Sequence, residues 1–392
     1  MHCSNLLLHC SKSSPTFPAR MSRFGRSVSN STHVIIPVRL NKLLSTVWRS
    51  RKAQPRLRRF RWRVRRLNLA LQGGGAHGAF TWGVIDQLLA DGRIAIDGIS
   101  GTSAGAVNAV MLADGLAQGG SEEARRRLAD FWRSASFGGN LPDLQRAVVE
   151  RLFSLVPHPA SPVPWFGDFS RLLSPYDLNP LNINPLRDLI ERYVDFERLR
   201  HGERRLYIAA TNVMTGEPRV FSRGEITPEA VMASACLPLV FRAVEIDGVP
   251  YWDGGYSGNP VVLPFLRSGT DVLIVQINPR ERRKLPTSAR EIMTRVHEIT
   301  FNAPLIAELR ALEMSGRRRI RLHRIDMDAL GAPFDAHSKL NTNFDFFLML
   351  HKLGQRAARR FLDSHFHDIG RRSTIGIHVD TETETGEMAP PV

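Results

Sequence analysis

Within about forty residues, an apolar run twice ends in a cluster of small residues and passes directly into a helical apolar period. The first run is Leu67–Leu71, followed by Gly73-Gly74-Gly75. Phe80, Val84, Ile85, Leu88 and Leu89 then recur at helical spacing over 78–90, and Gly92 supplies a stop. The second run is Ile94–Ser100, followed by Gly101-Thr102-Ser103-Ala104-Gly105 and a helical stretch over 106–113. Strand–helix–strand–helix with links this short leaves few topologies open. It predicts an α/β fold with a mostly parallel central sheet covered by helices.

Further along, Asn184-Pro185 caps and opens a helix. Strands are predicted over Leu206–Thr211, Arg219–Ser222 and Val272–Ile277, with a hairpin over Val244–Trp252 turning at Asp247-Gly248. Helices are predicted over Ala289–Met314 and Asn343–Phe366. Residues 134–182, rich in Pro, Trp and Phe, read as an irregular insertion. Val163–Phe169 within it reads either as an aromatic lid or as a loop capping the core. Ser338-Lys339-Leu340-Asn341, ahead of the last helix, receives no role.

The net charge of +15 is unevenly spread. Residues 1–66 hold 13 Arg and 3 Lys and no acidic residue, while the remaining 326 residues hold 37 basic and 38 acidic ones. A one-sign block lacks the apolar content to fold alone, so 1–66 reads as a disordered basic extension. A transit peptide, a polyanion-binding arm and an over-long gene start with Met21 as the alternative are further readings. The folded domain is expected over 67–370, with its motif core over 67–278 and a C-terminal helical part over 285–370. An acidic, disordered tail is expected over 371–392. One cysteine, Cys236, lies in the body, so neither a disulfide framework nor a zinc spacing is expected. With no apolar run of about 18 residues, the chain reads as cytoplasmic, with or without peripheral membrane contact. Neither a metal nor another cofactor is expected, nor a specific nucleic-acid partner. Oligomeric state has no signal.

Three glycine-bearing turns carry the chemistry. Gly101-Thr102-Ser103-Ala104-Gly105 fits G-x-S-x-G, which sets a nucleophilic serine on a tight strand-to-helix turn. The same residues also make a plain αβ turn with a capping serine. Asp253-Gly254-Gly255 follows a predicted strand; alone it is good turn chemistry. In the first turn, the N–H groups of Gly73, Gly74, Gly75 and Ala76 are candidates for an oxyanion hole. Read instead as G-x-G-x-x-G, Gly73, Gly75 and Gly78 suit a dinucleotide, with Asp97 near the place of a ribose-binding acid.

Gly73-Gly74-Gly75-Ala76-His77-Gly78, Gly101-Thr102-Ser103-Ala104-Gly105 and Asp253-Gly254-Gly255, in this order, resemble the patatin-like phospholipase family. The resemblance includes Cys236–Phe241 and Asn259-Pro260, and spans about Leu67 to Asn278. It implies a three-layer α/β fold, a lipid or other acyl ester substrate, and a Ser–Asp dyad with Ser103 as nucleophile and Asp253 as proton acceptor. No histidine and no cofactor is implied. One departure is His77, where many members carry Arg or Lys. The plain reading of His77 is a helix-start residue facing solvent; the other is a charge that titrates near the oxyanion. A histidine-based triad, drawing on His297, His323, His337 or His351, stays open as a rival.

Overall fold

The computed structural model describes residues 64–136, 174–268, 271–282, 284–315, 320–327, 334 and 336–375. Of the extension expected over 1–66, residues 1–63 lie outside the described residues, as do the aromatic segment Val163–Phe169 and, of the tail expected over 371–392, residues 376–392. Arg65 and Arg66 belong to the first strand, and the N–H groups of Thr374 and Ile375 bond the Leu322 carbonyl.

The two opening runs form β1 (Arg65–Leu71) and β2 (Ile94–Thr102), joined by α1 (Gly78–Asp91), with Gly92 in the left-handed region at its C-terminus. β2 leads into α2 (Ala104–Ser134). This helix runs well beyond the short stretch its first residues predict, and it breaks its helical geometry at Gly119 and Gly120. After α3 (Pro185–Tyr193) and α4 (Phe196–Arg200) come β3 (Arg205–Asn212) and β4 (Pro218–Ser222). Next follow α5 (Pro228–Ser234), then β5 (Val244–Ile246) and β6 (Val249–Asp253). β5 and β6 turn at Asp247 and Gly248, both with positive φ, the geometry that suits the twist of a hairpin. β7 (Asp271–Gln276), α6 (Ala289–Met314), β8 (Arg321–Asp326) and α7 (Phe344–His365) complete the chain.

The sheet order is β5-β6-β3-β2-β1-β7-β8, with β4 pairing on β3. β3, β2, β1, β7 and β8 are parallel; β4 and β6 run antiparallel to β3, and β5 to β6. Side chains of β1 and β7 alternate between two apolar clusters. Leu67, Leu69, Leu71, Leu273 and Val275 join α1, α2 and α7; Ala70, Val272 and Ile274 join Phe265 and α6. Both faces are therefore covered, as the near-continuous apolar character of these strands requires. The three-layer α/β architecture anticipated above is the one observed.

Candidate active site

Parallel strands bring their C-terminal ends to one edge of the sheet, where a site can assemble. Here the decisive register lies on β3. Ala209 pairs with Thr102, the last residue of β2, and Ala210 pairs with Asp253, the last residue of β6. The two strand ends are thus held at consecutive positions of a third strand. Gly254 closes the gap: a Cβ there would press into the Ala209 carbonyl and lie 2.9 Å from Thr102 Cγ2.

Ser103 follows Thr102 at φ 55°, ψ −125°, a conformation that costs a non-glycine residue about 1–3 kcal/mol and persists only under constraint. The constraint is visible. The Ser103 N–H donates 2.9 Å to Ser234 Oγ, which donates 2.6 Å to the Ala209 carbonyl. Thr102 Oγ1 donates 2.6 Å to the Gly258 carbonyl. Strand and helix approach closely because Gly105 has no Cβ, which would run into the Leu71 carbonyl. Ser103 is nearly buried at the N-terminus of α2, whose first carbonyl bond runs from Ala106 N–H to the Ser103 oxygen.

The Asp253 carboxyl is fully buried. Its Oδ1 accepts from Gly255 N–H at 2.7 Å, and its backbone N–H donates to the Cys236 carbonyl. Burial pushes the carboxyl up to about 6, against the opposing pull of the Ser103 hydroxyl, the Gly255 N–H and the Lys339 charge. Among the described residues no imidazole is one of the groups acting on it. His323 instead bonds Asp271 and Thr374 at β8, and His351 packs on Trp82 beside Asp86. His297 lies against Phe301 and is pushed down to about 4, chiefly by burial. His337 belongs to the 3-10 turn Ala336–Leu340.

The glycine turn sits against this pair: a Cβ at Gly73 would fall 2.7 Å from Ser103 Cβ. Its amides are not equivalent. Gly73 N–H donates 2.7 Å to Asn259 Oδ1, so Gly73 is no oxyanion donor, contrary to the sequence expectation. Its part is to let the loop backbone approach Ser103. Among the described residues no acceptor takes the N–H groups of Gly74, Gly75 or Ala76. Gly78 opens α1 against Ala104 and Trp132, and Gly101 packs on the Gly105 backbone.

His77 does not face solvent. It is 2% exposed, lies between Phe334 and Phe346, and its Nε2 is 2.7 Å from Ser338 Oγ. The residues that sequence reasoning missed are those that fix the turn from afar. Gln72 Oε1 accepts from the N–H groups of Ile277 and Asn278, and its Nε2 donates to Asn302 Oδ1. Asn278 Nδ2 donates 2.9 Å to the Gly73 carbonyl, and Lys339 Nζ donates 2.6 Å to Asn278 Oδ1. A run of buried amides after an apolar strand was the available signal, since buried polar groups require partners. Asp97, the acid of the dinucleotide reading, lies early in β2 and pairs with Arg66 at 2.8 Å, far down the strand from the glycine turn.

A groove of about 620 Å³ along α7, bordered by Met349, Lys352 and Arg356, includes none of these residues. Among the described residues no cluster of His, Cys, Asp and Glu suits a metal ion, and no helix is long and apolar enough to cross a membrane.

Comparison with known proteins places residues 69–266 in a match to the model of a family described as patatin-like phospholipase. No curated protein matches. Among solved structures the chain is similar to VipD from Legionella pneumophila, with 17% identity, 76% of this chain and 67% of that one covered, and a TM-score of 0.39. It is also similar to ExoU of Pseudomonas aeruginosa, solved in a heterodimeric complex with SpcU, with 18% identity, 78% and 52% covered, and a TM-score of 0.32. The chain thus spans about half the length of ExoU.

Proposed function

From the premise that the chain belongs to the patatin-like phospholipase family, we propose that it is a lipid acyl hydrolase in which Ser103 and Asp253 form the catalytic dyad. The observation that carries this reading is the β3 register, which supports a strained serine beside a buried carboxyl. As Ser103 Oγ attacks the ester carbonyl, its proton passes to an Asp253 oxygen. The developing oxyanion is received by the N–H groups of Gly74, Gly75 and Ala76. Collapse breaks the acyl–oxygen bond, and the alcohol leaves with the proton from Asp253. A water then gives its proton to Asp253, attacks the acyl-serine and releases the fatty acid, returning the proton to Ser103.

A raised carboxyl suits this task, because a base of ordinary carboxylate strength is poorly matched to a serine hydroxyl. The substrate class is a carboxylic ester of a phospholipid, lysophospholipid or neutral lipid, met at a membrane surface. The test is a substrate panel with fluorophosphonate labelling, run on wild type beside Ser103→Ala and Asp253→Ala. The expected result is labelling at Ser103 and loss of ester hydrolysis by about 10⁴-fold in both variants. Hydrolysis that survives Ser103→Ala sinks the proposal. So does a comparable loss on replacing His297, His323 or His351.

A further inference from the structure

Lys339 is built into the site, yet the mechanism above gives it no part. It arrives from the 3-10 turn Ala336–Leu340, more than 200 positions after the glycine turn. The two turns pack backbone to backbone: a Cβ at Gly75 would press into the Lys339 carbonyl. The ammonium lies 5.3 Å over the Phe301 ring, the same ring that blocks any Cβ at Gly255, beside Asp253. Its hydrogen-bond acceptor is a neutral amide, Asn278 Oδ1, and that amide holds the Gly73 carbonyl from its other end.

A partly buried ammonium bonded to a neutral group keeps its charge available to whatever negative charge appears nearby. Here such a charge has two successive seats. Before attack it rests on the Asp253 carboxylate, which already feels Lys339. After proton transfer it rests on the ester oxygen beside the glycine turn. A positive charge speeds the transfer by acting more strongly on the new seat than on the old one, and the new seat lies against the glycine turn on which the Lys339 backbone packs.

We propose that Lys339 is the positioning cation of this site, holding the glycine turn through Asn278 and stabilising the negative charge as it moves from Asp253 to the substrate oxygen. The inference rests on the dyad reading. The charged and titratable groups facing Lys339 are Asp253 from β6, Glu298 and His297 from α6, and His77 from the glycine turn, reached through the neighbouring Ser338. Glu298 already has Arg282 and Arg295 as partners, and His297, pushed down to about 4, is neutral near pH 7 and adds no second positive charge. Burial pushes the Lys339 ammonium down to about 8, which sets an alkaline limit on the charge.

The test is the rate of Ser103 labelling by a fluorophosphonate, and kcat and KM on a short-chain p-nitrophenyl ester, followed from pH about 5 to about 10. Wild type, Lys339→Met and Lys339→Arg are compared. Lys339→Met is expected to slow labelling and kcat by roughly 10²-fold, the scale of a lost oxyanion donor, with KM nearly unchanged and the alkaline limb gone. Lys339→Arg is expected to keep most of the rate and move the limb to higher pH, which stays readable if the Met variant folds poorly. Wild-type labelling and activity with an unaltered rate in Lys339→Met overturn the inference alone. So does an alkaline limb that stays in place in both variants. A wild-type chain that is not labelled at Ser103 overturns the dyad reading and this inference with it.

Discussion

Asp253 is costly at the residue scale, and the cost has a sign. Its carboxyl rises from 3.8 to about 6 because burial disfavours the charge, a preference for the neutral form of about 3 kcal/mol. The folded state holds this proton more tightly than the unfolded chain does. Stability is therefore greatest below the unfolded value and is lost as pH rises from about 4 through about 6. Under the proposed dyad, activity runs the other way, since there only the deprotonated carboxyl accepts the serine proton. Hydrolysis is expected to rise with pH through about 6, and a pH–rate profile flat between 5 and 7 contradicts the assignment. Asp253→Asn keeps an acceptor for the Gly255 N–H and removes the buried charge. It is expected to abolish hydrolysis while raising the melting temperature at pH 8 and leaving it nearly unchanged at pH 4. An equal drop at both pH values would show that the carboxylate is structural. The turns that carry Ser103, Asp253 and the glycines around them were legible as turns, because each motif is a contiguous stretch whose backbone demands are local. Gly73 shows where that stops: its backbone is placed as expected, but its N–H is spent on Asn259, 186 positions away.

Among the elements, the contact of β1 with α2 leaves no room for a side chain. Gly105→Ala would push a methyl group into the Leu71 carbonyl. It is expected to cost about 3 kcal/mol or more, at the upper end for overpacking, and to reduce fluorophosphonate labelling because the elbow shifts with the helix. Denaturant unfolding measures the first, and an unchanged midpoint refutes it. A second inter-element lock lies at the opposite end of the sheet. Asp271 of β7 is held down at about 2: burial opposes its charge, but His323, Arg321 and the Gly370 N–H outweigh it. A depressed carboxyl contributes stability above its unfolded value, and that contribution is lost as pH falls from about 4 through about 2. Asp271→Asn is expected to lower the melting temperature at pH 7 and to bring the variant level with wild type near pH 2. Helix α1, the β5–β6 hairpin and the two C-terminal helices were readable from apolar period, caps and turn residues. The length of α2 was not, because the helical period read over 106–113 gives no sign of the helical turns that resume beyond the break at Gly119 and Gly120.

For the whole molecule, the described fold begins at the edge of the basic block. β1 starts at Arg65 and the buried core at Leu67. Removing residues 1–63 is therefore expected to leave the melting temperature and short-chain ester hydrolysis unchanged; a truncated chain that fails to fold would show that the extension completes the domain. What the sequence by itself determined is the opening strand–helix–strand–helix order, the α/β layering and the place of the three glycine-bearing turns. Each follows from spacing along the chain, where period and turn chemistry act over a few residues. Strand β8 and helices α4 and α5 gave no sign in it. Only the tertiary structure decided that β3 sets Thr102 and Asp253 on consecutive residues, that His77 is buried, that Gly73 donates elsewhere, and that a lysine near residue 340 stands over the turn near residue 75. Those outcomes depend on strand register and on polar side chains meeting across 61 to 261 positions. Contacts at such separation leave no periodic trace in a single sequence, because any of many polar residues could have met there until the sheet closed.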